Sequence, residues 1–335
     1  MPGLIVGKGA LSKLGALVGA RRAMIVSEPN VWRLFKQRIS LKNAALHLLP
    51  QGEKAKHWNE AGKLLEAMAE TGLGRDGILV ALGGGAVTDC AGFAAASYLR
   101  GIDWISVPTS LLGQLDSGIG GKTGVNLDAG KNLAGAFHLP AQTICDTSLL
   151  ESLPQRERVS GLAEALKIGL VFEPGFWRMM TRDWEALVLG RGLEKVVERA
   201  AAWKLKVVAA DLRETKGRRI LLNFGHTLGH ALETAAGHGV IRQGEAVIWG
   251  MRAAARLSYE HAGLPEDDYW EIESFLSRIE IPRPKVRLKR LLAAARKDKK
   301  AKAGALRFVL LRKLGRPCVL ALSESKAAST ARALL

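Results

Sequence analysis

A histidine pair and a distant carboxylate are the first candidates for chemistry. His226 and His230 are four residues apart, so on a helix they share one face, which suits a metal ligand beside an acid–base group. Glu164 stands in an otherwise apolar helical run, where a buried carboxylate needs a cation, either Lys167 or a metal ion. The residues alone leave other interpretations open. The histidines could be satisfied interface residues, and Glu164 could form a simple ion pair.

Three consecutive glycines, 83–85, follow a predicted strand at 78–82 and precede a predicted helix at 86–99. Glycines let backbone N–H groups approach an anion, and the helix N-terminus adds the positive end of its dipole. This pattern favours a dinucleotide pyrophosphate, but it is not the GxGxxG fingerprint and a tight turn without a ligand also fits. Asp89 could contact the cofactor or only complement the helix dipole.

A glycine-rich segment, 115–132, carries Lys122, Lys131 and Asn132. Two lysines and an asparagine on glycine-rich loops predict a flexible cationic pocket for phosphate or carboxylate, although ordinary surface loops could carry the same glycines. Lys122 is similar to a P-loop lysine, but the spacing before it does not satisfy GxxxxGK[ST]. The segment therefore gives little support to an NTPase.

The elements that must position these residues change character near residue 150. The first part alternates apolar runs with amphipathic stretches, which predicts a mostly parallel sheet with helices on both faces. After that point Ala, Leu, Lys, Arg and Glu recur at helical spacing, so we predict an α/β domain at 1–150 and a mainly α-helical domain at 151–335. The predicted strands are 23–26, 45–49, 77–82, 104–107 and 143–145, and the predicted helices are 58–71 and 86–99.

Length and composition restrict the class of protein. A chain of 335 residues, 48% of them apolar, can bury the cores of two domains. No window is apolar enough to span a membrane, and the first residues lack the features of a signal peptide. The three cysteines are far apart without a CxxC pair, which favours reduced thiols over disulfides or a thiolate zinc site. We therefore expect a cytoplasmic protein with no membrane partner.

The net charge of +17 is concentrated between Arg283 and Lys313, a stretch with thirteen Lys or Arg residues and one acidic residue. Such a stretch could bind nucleic acid, form a solvated face, or supply cations to a small polyanionic substrate. Its interleaved residues are mostly Ala and Leu, with no aromatic side chain before Phe308, so base stacking is unsupported. The stretch therefore gives little support to nucleic acid as a partner.

Jointly, these segments resemble the 3-dehydroquinate synthase family of sugar-phosphate cyclases from about residue 25 to residue 310. The resemblance implies a Rossmann-like NAD-binding domain, a helical metal-binding domain and usually a homodimer. The segments that carry it are 52–56, 83–85 with Asp89, 98–101, 107–110, 116–123, 130–132, 160–167, 219–230, 244–247 and 298–300.

The resemblance also implies an activity. Members of this family convert 3-deoxy-arabino-heptulosonate 7-phosphate to 3-dehydroquinate and phosphate, a step of the shikimate pathway to aromatic amino acids. The reaction combines transient oxidation by NAD, β-elimination of phosphate, re-reduction and an intramolecular aldol. A divalent metal, usually zinc, polarises the oxygen on C5. The chain is therefore expected to be a carbon–oxygen lyase that depends on NAD and on Zn²⁺ or Co²⁺.

The family's functional residues transfer by position. Cofactor contacts are expected at Asn30, Glu53, Lys56, Gly84, Gly85, Asp89, Thr109 and Ser110, with Glu28 standing where the family usually has aspartate. The expected catalytic residues are Asp116, Lys122, Lys167, Lys204 and His230. The expected substrate contacts are Arg100, Lys131, Asn132, Arg219, Asn223, Lys299 and Lys300. Arg100 would reach the neighbouring subunit's phosphate site, His230 would act near the phosphate and Arg219 near the carboxylate.

The metal site departs from the family pattern. Glu164 and His226 match two of three ligands, but Gln243 stands where the family has histidine before Gly-Glu-Ala-Val. An amide oxygen is a poorer zinc donor than imidazole. Three interpretations stay open: Gln243 binds metal with weakened affinity, His238 replaces it, or metal and activity are lost. A milder departure is Gly118, where the family commonly has serine.

Competing functions follow from the same residues. Another cyclase of the family would share the NAD and metal framework, whereas Lys122, Asn132, Asn223 and Arg219 together favour a substrate with two anionic ends. An iron-dependent alcohol dehydrogenase would show a different histidine pattern and no Gly-Gly-Lys-Thr segment. A non-enzymatic, NAD-binding descendant is the remaining alternative, and Gln243 is the residue in its favour.

Overall fold

The computed structural model describes residues 3–42, 44–237, 239–282, 285–297 and 305–335. In these ranges the strands are β1 (Gly3–Gly7), β2 (Ala23–Ser27), β3 (Ala45–Leu48), β4 (Ile78–Gly83), β5 (Asp103–Pro108), β6 (Lys122–Leu127), β7 (Gly130–Phe137), β8 (Gln142–Asp146), β9 (Ala305–Lys313) and β10 (Arg316–Ser323). The helices are α1 (Leu14–Val18), α2 (Pro29–Phe35), α3 (Trp58–Glu70), α4 (Gly85–Ser97), α5 (Gln155–Phe172), α6 (Pro174–Arg182), α7 (Trp184–Val188), α8 (Leu193–Ala210), α9 (His226–Ala236), α10 (Gln243–His261), α11 (Glu266–Leu276), α12 (Leu288–Lys297) and α13 (Glu324–Leu334).

The chain divides into two units. The α/β unit comprises Met1–Arg158 and Gly190–Arg213, and the helical unit comprises Val159–Leu189 and Glu214–Leu335. The predicted division at residue 150 assigns α8 to the second domain, whereas in the structure α8 belongs to the α/β unit. That helix contacts β1 and the π-helical turn Gly113–Ser117. Helical periodicity shows that a helix has a buried face, but not which element covers it.

A six-stranded parallel sheet forms the centre of the α/β unit, in the order β1-β8-β5-β4-β2-β3. Side chains alternate between its faces along β4: Leu79 and Ala81 belong to one buried apolar cluster, and Ile78, Val80 and Leu82 to another. Both faces are therefore covered, which confirms the predicted α/β architecture.

The carboxyl ends of β4 and β5 lie side by side, with Gly83 paired to Pro108. The glycine turn follows the first of these strands, and Thr109 and Ser110 follow the second. In parallel α/β sheets, ligands bind at this edge. The strand register thus places two of the predicted cofactor-binding segments next to each other.

The predicted glycine-rich loops at 115–132 are partly wrong. Lys122, Lys131 and Asn132 lie on the antiparallel hairpin β6–β7, which packs against α4. The glycines of this hairpin allow close backbone contact, since a Cβ on Gly135 would lie 2.5 Å from the carbonyl oxygen of Thr123. Glycine has low strand propensity, so its role here was not visible in the composition.

The second unit is mainly helical, as predicted, and it also contains the antiparallel hairpin β9–β10. Helices α9 and α10 pack closely through glycines. A Cβ on Gly250 would lie 1.9 Å from the carbonyl oxygen of Gly225, and one on Gly229 would lie 2.8 Å from that of Ala246. The backbone therefore sets the separation of these two helices.

Part of the basic stretch forms α12, an amphipathic helix. Its buried side chains include Leu291 and Ala295, while Lys289 and Arg290 are exposed, as expected for a solvated face. Among the described helices, none is long and apolar enough to cross a membrane. Cys90 and Cys145 are buried, Cys318 is partly buried, and all three thiols are free, in agreement with the prediction of reduced cysteines.

Candidate active site

The glycine turn of the α/β unit forms a candidate anion site. Gly84 caps α4, and the nearest atom to a Cβ on it would be Oγ of Ser110, 3.8 Å away. The first N–H groups of a helix have no partner within the helix, and they carry the positive end of its dipole. The turn, with Ser110 beside it, can therefore receive a diphosphate.

A second part of this candidate site lies where β2 ends. The Glu28 carboxylate accepts a hydrogen bond from the N–H of Gly52 at 2.9 Å. Oδ1 of Asn30 is buried and accepts no hydrogen bond from the described residues. A buried acceptor without a partner is costly, and a polar ligand would satisfy it. With the adjacent glycine turn, this orphaned oxygen fits a nucleotide cofactor.

Lys56 and Asp89 form an ion pair between the turn Gly52–Lys56 and helix α4. Their side chains are only 10% and 15% exposed. Burial raises the pKa of Asp89 to about 6, although the charge of Lys56 and its hydrogen bond act in the opposite direction. Asp89 can therefore change its charge near neutral pH. This property goes beyond complementing the helix dipole, which was one of the two roles that its position suggested.

Asp116 and Lys204, both predicted as catalytic, form an ion pair. Asp116 lies on the π-helical turn Gly113–Ser117 and Lys204 on α8, 88 residues away in the sequence. Short π-helical turns are frequent at functional sites. The sequence suggested both residues but gave no sign that they are partners.

The remaining predicted residues of the α/β unit lie on its surface. Lys122 begins β6 and is exposed, while Lys131 and Asn132 are on β7. Asn132 has a left-handed backbone, with φ of 56°, and so does Arg100, with φ of 67°. Left-handed backbone is unusual for residues other than glycine and is worth explaining wherever it occurs.

The helical unit contains the candidate metal ligands. Glu164 on α5 is fully buried and pairs with Lys167 through Oε2, while its Oε1 lies 3.5 Å from Nε2 of His226. That distance is long for a hydrogen bond, and Oε1 accepts none from the described residues. Nδ1 of His226 faces the carbonyl oxygen of Phe224 at 3.2 Å, so the neutral tautomer that donates there leaves a lone pair on Nε2.

Two lone-pair atoms at this separation fit a zinc ion. Bonds of about 2.1 Å in a tetrahedron place neighbouring ligand atoms roughly 3.4 Å apart. Burial raises the pKa of Glu164, but the ammonium of Lys167 opposes this effect and the pKa lies well below the ordinary value, so the carboxylate stays ionised. Glu164 and His226 therefore fit a divalent metal.

Gln243, at the third ligand position, is the first residue of α10. The next residue, Gly244, donates its N–H to Oγ of Ser160 at 3.1 Å, one helical turn before Glu164 on α5. Contact at Gly244 thus brings the start of α10 to the face of α5 that bears Glu164. Among the described residues no three His, Cys, Asp or Glu side chains form a metal-binding group, and His238 lies outside those residues.

The other predicted residues of the helical unit follow one another along the chain. Arg219 is 2% exposed in the 3₁₀ turn Arg219–Asn223, which leads through Gly225 into α9. The rings of His226 and His230 meet edge to face, with centroids 4.9 Å apart. One local segment therefore carries Arg219, Asn223 and both histidines. Lys299 and Lys300 lie outside the described residues.

Asn126 is a residue whose contacts the sequence did not reveal. Its Nδ2 donates to Oε1 of Glu53 at 2.7 Å, and its Oδ1 accepts from the N–H of Asn132 at 3.0 Å. It therefore connects a predicted cofactor contact with a predicted substrate contact. Its position among the glycine-rich motifs was the only available signal.

Comparisons with known proteins agree on one family. The family model described as 3-dehydroquinate synthase N-terminal matches residues 46–160, and the one described as 3-dehydroquinate synthase C-terminal matches residues 161–301. A 3-dehydroquinate synthase from Bordetella pertussis is 41% identical over 322 residues, which cover 92% of this chain and 90% of that protein.

Solved structures of other cyclases share the fold. A 2-deoxy-scyllo-inosose synthase, complexed with carbaglucose-6-phosphate, NAD⁺ and Co²⁺, has a TM-score of 0.89 at 25% identity, covering 99% of this chain and 96% of the other. A 2-epi-5-epi-valiolone synthase from Streptomyces hygroscopicus subsp. jinggangensis, with NAD⁺ and Zn²⁺ bound, has a TM-score of 0.88 at 27% identity, covering 100% and 96%. With two family models and a relative at 41% identity over nearly its whole length, this chain belongs to the 3-dehydroquinate synthase family.

Proposed function

We propose that this chain converts 3-deoxy-arabino-heptulosonate 7-phosphate to 3-dehydroquinate and phosphate, with NAD and a divalent metal, Zn²⁺ or Co²⁺, as cofactors. The observation that carries the proposal is Glu164, a buried carboxylate that stays ionised with one oxygen facing His226, in a chain of this family. When bound, NAD would supply reversible hydride acceptance and the metal would supply Lewis-acid polarisation of a substrate oxygen.

The chain's own residues would bind and orient the substrate. Lys122, Lys131 and Asn132 lie on one hairpin of the α/β unit, and a cationic, amide-bearing strand pair suits phosphate or carboxylate oxygens. In the helical unit, Arg219 offers a guanidinium and Asn223 an amide. The planar guanidinium is suited to binding the carboxylate of the substrate. A substrate with two anionic ends needs both kinds of group.

Proton movement would fall to the paired and titratable side chains. The Asp116–Lys204 pair can hold a proton on Nζ or release it while the carboxylate stays close. His230, one turn after His226, would protonate the departing phosphate or neutralise its charge. The elimination then removes a proton beside the transient ketone together with the phosphate group.

Gln243 favours a second candidate function, an NAD-binding descendant that no longer holds metal. No third His, Cys, Asp or Glu side chain joins Glu164 and His226 within the described residues. An amide oxygen is a weak zinc donor, so the affinity for zinc could be too low for the site to hold the metal.

Homodimer formation belongs to the first proposal, since Arg100 would then act at the neighbouring subunit's site.

Phosphate release separates these functions. The chain is assayed with the heptulosonate phosphate, NAD and a series of zinc or cobalt concentrations, and in parallel with a heptulose phosphate that lacks the carboxylate. We expect metal-dependent release only from the substrate with the carboxylate. Release from the other substrate would assign a different cyclase activity. Bound NAD without release at any metal concentration would assign the metal-deficient descendant.

A further inference from the structure

Asn126 joins two segments of the α/β unit that the proposed function assigns to different ligands. Its side chain donates to the carboxylate of Glu53, on the turn Gly52–Lys56, at 2.7 Å. The same side chain accepts the backbone N–H of Asn132, on β7, at 3.0 Å. A primary amide can do both at once, because it carries separate donor and acceptor atoms.

The backbone around Asn126 is arranged for this double contact. The register of the β6–β7 hairpin shifts between Val125 and Leu127, so Asn126 stands at a bulge. Its backbone forms an isolated parallel bridge with His57, directly after the Gly52–Lys56 turn. Bulges redirect side chains at functional positions, and this one directs Asn126 towards Glu53.

The hydrogen bonds extend in both directions from this residue. On one side, the N–H of Gly52, next to Glu53, is held by Glu28 at 2.9 Å. On the other, Asn132 is held in a left-handed backbone with φ of 56°, next to Lys131. Asparagine adopts this backbone more readily than most residues other than glycine, and the bond from Asn126 to its N–H helps to keep it.

We infer that Asn126 is a positioning residue through which NAD binding at Glu53 orders the Lys131–Asn132 segment for substrate. The inference rests on the proposed function. Both of its hydrogen bonds are exposed in the chain alone, where water competes with them. A nucleotide that covers Glu53 removes this water and strengthens the bonds. Substrate then meets an ordered hairpin only after the cofactor is bound.

Hydrogen–deuterium exchange of the Asn132 amide tests the coupling, with NAD affinity measured separately by calorimetry. Saturating NAD should slow this exchange about tenfold, within the usual range for coupled sites. In Asn126→Asp the donor to Glu53 becomes a carboxylate oxygen, while an acceptor for the Asn132 N–H remains. We therefore expect NAD to have almost no effect on the exchange in this variant.

A charge exchange provides the rescue. In the double variant Glu53→Gln with Asn126→Asp, the amide of residue 53 donates to the carboxylate of residue 126. Because Glu53 is itself a proposed NAD contact, NAD is added at a concentration that calorimetry shows to saturate this variant, and it should then slow the exchange again. A merely structural role for Asn126 predicts no such return. Asp128→Asn is the matched control, because Asp128 lies in the same hairpin turn and contacts only His57, at 3.2 Å, among the bonds described for it. It should keep the tenfold slowing.

Two results would overturn the inference, and they differ in whether the proposed function survives. If NAD binds the unchanged chain and slows the exchange equally in Asn126→Asp, the coupling is wrong and the proposed function stands. If NAD does not bind the unchanged chain at all, the proposed function fails and the coupling fails with it.

Discussion

Asp89 in the α/β unit and Glu164 in the helical unit are both carboxylates that are largely or fully buried and paired with a lysine, yet their pKa values shift in opposite directions. Burial raises the pKa of Asp89 to about 6 despite Lys56, and the carboxylates of Glu53 and Asp116 add to the rise. Burial also acts on Glu164, but the ammonium of Lys167 opposes it and the pKa lies well below the ordinary value. Burial is the largest effect on both groups, so the opposite directions of their pKa shifts come from the neighbouring charges.

This difference suits two kinds of ligand. A carboxylate that remains ionised without water is ready to bind a cation, as the proposed metal site requires. A carboxylate that accepts a proton near pH 6 can adjust its charge next to an anionic nucleotide. Three variants would break or sharpen the comparison, and they follow in order of expected effect.

Glu164→Gln should have the largest effect, because it leaves the Lys167 ammonium, 2% exposed, without its partner. Breaking one side of a buried pair costs about 3–5 kcal/mol, so the free energy of unfolding should fall by that amount in chemical denaturation. Zinc binding should be lost as well. Glu60→Gln is the control, since Glu60 pairs at the same three-residue spacing on α3 with Lys63, whose side chain is 66% exposed. Its effect should stay below about 1 kcal/mol, and an equal loss in both variants would contradict the role of burial.

Asp89→Asn should change how stability depends on pH. The folded pKa of about 6 exceeds the ordinary 3.8, so between these values the folded chain keeps a proton that the unfolded chain releases. The contribution of Asp89 to stability is therefore complete below pH 3.8 and is lost as pH rises through 6. Relative to Asp89→Asn, the natural chain should lose up to about 3 kcal/mol over this interval, measured by denaturation at each pH.

The quantity to compare is how steeply the free energy of unfolding changes with pH, and not its constant difference between the two proteins. Asp89→Asn also removes the partner of Lys56 at every pH, which adds such a constant difference. Asp76→Asn removes an exposed carboxylate from the same unit and keeps Asp89, so it should retain the slope of the natural chain. A difference between the natural chain and Asp89→Asn that stays constant from pH 4 to pH 6 would refute the raised pKa.

Gln243→His should tighten zinc binding without changing the fold. Imidazole is a better zinc donor than an amide oxygen, and even ligand-supporting residues change metal affinity about 10–100-fold, so at least about a tenfold gain is expected in competition with a chelator. Gln243→Ala completes the series by removing the donor. Equal zinc affinity in the natural chain, the histidine variant and the alanine variant would show that position 243 does not bind the metal.

The sequence predicted five of the six strands of the parallel sheet and the helices α3 and α4, because buried parallel strands are continuous apolar runs, but it did not predict β1, α1 or α2. Residues 78–82 are an example, and the structure has β4 at Ile78–Gly83. The β6–β7 hairpin was missed because its glycines and lysines are typical of loops. Its strands depend on close backbone contact at Gly124 and Gly135, which composition does not reveal.

In the candidate site, too, the sequence predicted local arrangements but not contacts between distant segments. His226 and His230 are four residues apart, so one helix explains their proximity and the sequence could predict it. Asp116 and Lys204 meet only because α8 returns to the α/β unit, and Glu53 meets Asn126 only because of a bulge in β6. Such contacts depend on tertiary packing, for which single-sequence patterns carry no distance information.

At the proposed metal site, the contact between α5 and α10 depends on Gly244, whereas the type of the third donor depends on the residue before it. A Cβ at this position would lie 1.9 Å from the carbonyl oxygen of Ser160, so no larger residue can replace it while the two helices keep their contact. The preceding residue, Gln243, is the first residue of α10. A single base substitution converts a glutamine codon to a histidine codon, so metal affinity can be gained or lost in evolution in one mutational step while the scaffold around it is conserved.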